Sequence, residues 1–430
     1  MTDRVARRRI LGAGIAATGA AVFPGLGTAI ATANPNFALG TPDGFDRYFG
    51  PDRVLDVRIS MDPAHWDELR HQTRTIQGLI QQRDSGLPYE SPFTWFKADA
   101  IIDGQQFEDI GIRKKGFLGS LDTEKPALKL RLNKYVKGQE LPGGFKRLTL
   151  NNSRQDPSMI RTQMAYYVFE RAGLPAPRTG FAQVNINGQD IQLYVNVEQI
   201  EHYVVPRVYG DDEGNLYEGT ISDFSDDLRD SFEKKNHVKV NDWRDLDVVS
   251  TLLELGGVWE YLGKIVDLEQ FLTFWAVETL IGHFDGYAGN KNNFQIYRPQ
   301  RGKFQFIPWG ADQVFATSDV PYDDFANPQS VMAHGLLANR LYNDSYWRPR
   351  YLDRLRSLLT GVWDETALNA RADILSWTVA SHSRGIQKIV ADHEKYWVKA
   401  FIGFRKAELL TELERHPAEW PGGWRAPNWR

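Results

Sequence analysis

The sequence predicts an α+β protein with a β-rich first part and a mainly helical second part. Three observations carry that reading. Before about residue 200, apolar residues recur at every second position in short runs, as in RVLDVRISM, where Leu55, Val57 and Ile59 share a face. Asp103-Gly104 and Asn187-Gly188 each sit between two such runs and are the dipeptides of two-residue hairpin turns. From about Asp267 the apolar period lengthens to that of a helix, with Leu268, Phe271, Leu272, Trp275 and Leu280 along one side.

Taken in chain order, the first segment stands apart from the fold. Arg7 to Asn34 (RRRILGAGIAATGAAVFPGLGTAIATAN) has a basic start, an apolar Gly/Ala-rich stretch and the small residues Ala31, Thr32 and Ala33. That is the layout of an export signal, and Arg7 and Arg8 give it a twin-arginine character. The expected organisation is a signal over 1–33, a linker over 34–50, a β-rich lobe over 51–200, a helical lobe over 201–416 and a tail over 417–430. A secreted or surface location follows, with membrane contact only through an uncleaved signal.

After the first strand, a helix carries Trp66 and Leu69, and QQRDSGLPYESP reads as a polar loop. In ALKLRLNK, Leu128, Leu130 and Leu132 point one way, and Lys129 and Arg131 the other. Asp156-Pro157 suits the start of a helix, with Ile160, Met164, Tyr167 and Val168 as its apolar stripe. Asp267 and Gln270 suit a capping box at the next long helix.

Composition excludes several classes. A formal net charge of -4 gives no basic footprint for nucleic acid, and the absence of cysteine rules out disulfides, a thiolate nucleophile and a thiolate metal site. Nothing in the composition fixes an oligomeric state.

The chemistry gathers at GHFDGYAGNKNNFQIYRPQRGKFQFIPWGAD, Gly282 to Asp312. Phe294 and Ile296 alternate on one strand and Phe304 and Phe306 on the next, with the Pro299–Gly302 stretch as the turn. An antiparallel pair brings its ends together, so Asp285, the asparagines at 290, 292 and 293, and Asp312 converge within about 10 Å at a rise of ~3.3 Å per residue. Hard oxygen donors without His or Cys suit Mg²⁺ or Mn²⁺ shared with phosphate. His283, Asp285 and Asn290 also match an H-x-D-x-x-x-x-N catalytic loop, although turn and capping roles would use the same residue types. In GIRKKGFLGS, the glycines at 111, 116 and 119 surround Arg113, Lys114 and Lys115, a turn able to offer N–H groups and cations to phosphate.

These motifs, with FKRLTLNNSRQDPSMIRTQMAYYVFERAGLPAPRTGFAQVNING, NVEQI and GNLYEG, together resemble the CotH kinase family from about Arg53 to Arg415. The resemblance implies an atypical two-lobed protein-kinase-like fold that uses ATP and Mg²⁺ or Mn²⁺ to phosphorylate Ser or Thr of a protein substrate. It implies that Lys129 contacts nucleotide phosphates, that Arg113, Lys115 and Gly116 form the phosphate-covering turn, and that Glu198 ends the strand leading between the lobes. It assigns Asp285 to catalysis and Asn293 and Asp312 to the metal. The sequence departs from the family at Gly310, where an aspartate is usual. A vacated ligand position there would make Gly310→Asp an activating change. A catalytically silent coat or surface protein, or transfer to a different acceptor, stands as the alternative.

Overall fold

The computed structural model describes residues 44–84, 91–210, 212–238, 242–256, 258–316, 328–415 and 419–420. The expected export signal, the linker up to residue 43 and nearly all of the C-terminal tail lie outside these residues.

Seven strands form a closed barrel: β1 (Val54–Ser60), β2 (Phe96–Ile102), β3 (Gln105–Lys114), β4 (Leu128–Arg131), β5 (Arg147–Asn151), β6 (Thr179–Ile186) and β7 (Gln189–Val197). The order is β1-β2-β3-β4-β5-β7-β6, and β1 closes the ring by lying parallel to β6, with Val57 opposite Val184. The other pairings are antiparallel. Asn187 and Gly188 both adopt positive φ, 53° and 81°, the twist that a two-residue turn between β6 and β7 requires. Asp103 and Gly104 do the same between β2 and β3. Alternation does the rest: Leu128 and Leu130 are buried inside the barrel, while Lys129 faces the other way.

Helices α1 (Pro63–His71) and α2 (Ile76–Asp84) follow β1, and α3 (Arg161–Arg171) lies between β5 and β6. Two expectations shift here. The start of the polar loop is helical, since α2 runs to Asp84. Asp156 does not cap α3, which begins at Arg161; its buried carboxylate instead closes a turn, accepting from the Ser158 hydroxyl and from the Met159 and Arg161 N–H groups. A turn that satisfies its own backbone gains little by continuing as helix. Most of α3 is buried, and Phe169 meets Phe274 at 5.4 Å between ring centres, which ties the barrel to the helical part.

Beyond β7, a π-helical turn over Ile200–Val204 leads into α4 (Val205–Tyr209). Then come β8 (Asn215–Gly219), β9 (Glu233–Lys234), α5 (Arg244–Leu255), α6 (Trp259–Leu262) and α7 (Leu268–Ile281). Next are β10 (Phe294–Arg298), β11 (Gln305–Pro308), α8 (Leu336–Tyr342), α9 (Trp347–Gly361), α10 (Glu365–His382) and α11 (Gly385–Arg415). The hairpin β10–β11 is the edge pair of a four-stranded sheet ordered β11-β10-β8-β9. Asp267 caps α7 as expected, accepting from the Gln270 N–H at 3.1 Å. Gln270 does not complete the capping box: its amide pairs with both backbone groups of Phe306, at 2.7 and 3.0 Å, and so holds β11 against α7. No helix among the described residues is long and apolar enough to cross a membrane.

Candidate active site

A cavity of ≈ 350 Å³ opens where the barrel meets the second sheet, within the size range of small-molecule sites. Its barrel wall carries Arg113, Lys115, Gly116 and Lys129, and its opposite wall carries Glu218, Lys235, Asp285, Asn293, Gly310 and Asp312. The sheet topology makes this meeting possible. Residues 113–129 arrive on β3, β4 and the turn between them, and residues 285–312 on the two feet of the β10–β11 hairpin.

Asp285 is the hub of the acidic wall. Its carboxylate accepts from the side-chain amides of Asn290 at 2.7 Å, Asn292 at 3.3 Å and Asn293 at 2.6 Å. All three asparagines therefore serve one carboxylate, whichever of them also meets a ligand. Burial raises the Asp285 pKa, and the three amide hydrogen bonds oppose that rise. The loop itself is held from beneath by Glu278 of α7, a fully buried carboxylate that accepts from the N–H groups of Tyr287 and Ala288, each at 2.9 Å. His283 is wholly buried below the cavity wall, and burial pushes its ring down to about 4, so it is neutral.

Asp312 sits on the other foot. Burial, then the neighbouring charges of Asp156 and Asp285, push it up to about 7, against the pull of Lys115. The buried Tyr166 of α3 lies beside this foot, near the N–H groups of Gly310 and Ala311. Gly310 has φ +54°, and a Cβ there would lie 2.3 Å from Oδ1 of Asn293. This corrects the expectation of a vacated ligand position. The space an aspartate Cβ would enter is taken by the Asn293 carboxamide, which would have to turn aside to admit it.

On the basic wall, Lys115 hydrogen-bonds Asn151 and lies over the Trp309 ring at 5.7 Å. Burial pushes Lys115 down to about 8, with Glu218 and Asp312 pulling the other way. Burial, reinforced by Lys235 and Arg113, takes Lys129 down to about 7. Arg113 stacks on Trp95, its guanidinium 4.7 Å from the ring centre. Lys235 and Lys115 thus add to the burial that depresses Lys129, a condition that an incoming polyanion relieves.

Glu198 lies elsewhere. It has no exposure and is clamped by Arg178 at 2.6 Å and Arg207 at 2.8 Å, behind the cavity wall. The π-turn after β7 rotates the chain so that Glu201 faces the cavity instead. Sequence reasoning also missed the Glu218–Lys235–Glu233 cluster, with contacts of 2.7 and 2.6 Å. Its one signal was Glu218 within GNLYEG; Lys235 reaches it only through the β8–β9 pairing.

Among the described residues no three His, Asp or Glu side chains gather as a metal cage. The donor set still fits a divalent cation completed by phosphate. Asp312 is a buried acid repelled by two neighbouring acids, and the nearby carboxamides add hard oxygen donors.

Fold and site together define an α+β protein with a cleft between a basic barrel wall and an acidic hairpin loop. The chain belongs to the CotH kinase protein family, whose model matches residues 112–400. It is 23% identical over 236 residues to the inner spore coat protein H of Bacillus subtilis (strain 168), covering 51% of this chain and 64% of that protein. It is 26% identical to the invasin CotH2 of Rhizopus delemar, covering 47% of this chain and 40% of the relative. The chain thus spans less than two thirds of either relative. The solved proinflammatory kinase CtkA of Helicobacter pylori is 14% identical and superimposes with a TM-score of 0.28 over 70% of this chain and 92% of its own. That likeness is too slight to bear on the fold.

Proposed function

We propose that this chain is an exported kinase that transfers the γ-phosphoryl group of ATP to Ser or Thr of a protein, using Mg²⁺ or Mn²⁺. The observation that carries the reading is the opposition of Lys115 and Lys129 to Asp285 and Asp312 across one cavity. Lys115 and Lys129 would bind the phosphates, gaining charge as they do so. Asp312, with Asn293 beside it, would hold the cation, which when bound neutralises charge on the phosphate oxygens. Asp285, oriented by three amides, would accept the proton of the attacking hydroxyl, and its raised pKa favours that task at neutral pH. Phosphoryl transfer asks a protein mainly for position and electrostatics, and both are supplied by residues fixed on strand ends.

Incubation with ATP labelled at either the γ or the α phosphate, in Mn²⁺, tests the reading. Label from the γ position alone, passed to protein Ser or Thr, is the expected result. Label from the α position would assign AMP transfer, and no transfer would leave the coat-scaffold reading. Export rests on the Arg7–Asn34 segment. Changing Arg7 and Arg8 to Lys should block it, and unimpaired export of that variant would remove the twin-arginine route.

A further inference from the structure

The last helix carries an apolar stripe on its outer face. In α11, Ile386 is 79% exposed, Ile389 70% and Tyr396 65%. These residues, with His393, Ala400 and Gly403, recur at spacings of three and four, the seam of a coiled coil. The opposite face of α11 is buried through Ala391, Val398 and Arg405. The stripe is therefore surplus to the core.

We infer that this stripe is a self-association surface, on which α11 of a second copy of the chain docks antiparallel. Residue sizes along the seam select that occupant. Ile386 and Ile389 stand at one end, Ala400 and Gly403 at the other, and His393 and Tyr396 lie between. Antiparallel pairing sets Ile386 against Gly403, Ile389 against Ala400 and His393 against Tyr396, large against small at both ends. Parallel pairing would oppose like with like, crowding one end and leaving a gap at the other.

With Trp397 and Phe404 flanking the seam, the exposed apolar area is on the order of 600 Å², taking 150–250 Å² for a whole aromatic side chain. A stable interface takes about 800 Å² from each partner, polar atoms included, so the stripe would supply most of it, and it lies at the upper end of what monomers leave uncovered. Two identical helices related by a two-fold axis give a closed, isologous contact. A lipid surface fits less well. The charges of α11 are mixed, with Lys388, Lys395 and Lys399 interspersed with Asp392 and Glu394, so no basic face accompanies the apolar one.

Sedimentation of the full chain should show a dimer at low micromolar concentration. Ile389→Lys should weaken dimerisation at least tenfold while leaving the thermal midpoint unchanged at dilutions where both proteins are monomeric, because so exposed a side chain adds little to the fold. The absence of cysteine allows a second test. Ile389→Cys and Ala400→Cys proteins should cross-link on mild oxidation when mixed, and neither should cross-link alone. A wild type that stays monomeric to 100 μM would overturn the inference, as would assembly unaffected by Ile389→Lys. So would self-linking of either single variant, or a monomer that binds phosphatidylglycerol vesicles through the stripe.

Discussion

Replacing Gly310 by aspartate puts in the residue that the family resemblance leads one to expect there, and on that ground alone a gain of activity would follow. The structure reverses the sign. Gly310 has φ +54°, which costs a non-glycine residue about 1–2 kcal/mol. The new Cβ would meet Asn293 Oδ1 at 2.3 Å and Cγ at 2.7 Å, distances that no side-chain carbon sustains. Asn293 must therefore swing away, and its hydrogen bond to Asp285 goes with it. A bond to a charged group contributes roughly 1.5–3 kcal/mol. Together the losses come to roughly 2.5–5 kcal/mol. Thermal melts should show Gly310→Asp falling by at least ~3 °C, the low end of that loss at an unfolding entropy of about 2.1 cal/mol/K per residue. Phosphoryl transfer should fall along with nucleotide affinity. Adding Asn293→Ala should recover part of the stability, because the colliding atoms are gone, so the two changes should be strongly non-additive. A Gly310→Asp protein that melts like the parent and transfers phosphate faster would refute this account and return Gly310 to the status of a lost ligand.

Four further outcomes follow from the same geometry. Lys129→Met should stabilise the ligand-free protein. The lysine's folded pKa, about 7, lies below its unfolded value, so its burial cost is full below pH 7 and fades as the pH rises toward 10.5. Melts of parent and variant at pH 6 and 9.5 should show the larger gap at pH 6, while ATP should stabilise the parent alone; equal gaps would contradict the burial argument. Asp312→Ala should raise ligand-free stability by removing a repelled buried acid and abolish metal-dependent ATP binding, which calorimetry would detect. Asp285→Ala should keep most ATP binding and lose at least ~10²-fold in transfer rate, with equal loss of both functions speaking against its role. Glu278→Ala leaves the N–H groups of Tyr287 and Ala288 without their acceptor, at ~1–3 kcal/mol each, and should lower both stability and transfer rate, with Glu278→Gln restoring part of each.

Local chemistry made much of the molecule legible. The period-two runs fixed the faces of the barrel strands, and Asn187-Gly188 fixed where the β6–β7 hairpin turns, because both act over neighbouring residues; the bulge between Val184 and Asn185 that shifts their register had no such signal. The hairpin at 294–308 placed Asp285, Asn293 and Asp312 together for the same reason: antiparallel strands return their ends to one place. Other features depended on partners distant in sequence, and there the reading failed or fell silent. Glu198 and Glu201 are three residues apart, and no local rule distinguishes the one clamped by Arg178 and Arg207 from the one facing the cavity; the π-turn decides. Lys235 enters the site only because β9 pairs with β8. Gln270 abandons its expected capping role for the backbone of Phe306, 36 residues away. Gly310 looks like a loss in sequence, yet the Asn293 carboxamide stands where its Cβ would go. Short-range sterics and periodicity were written in the chain itself, whereas which buried charge finds which partner was set by packing, since in a desolvated interior the nearest neighbour in space governs the energy.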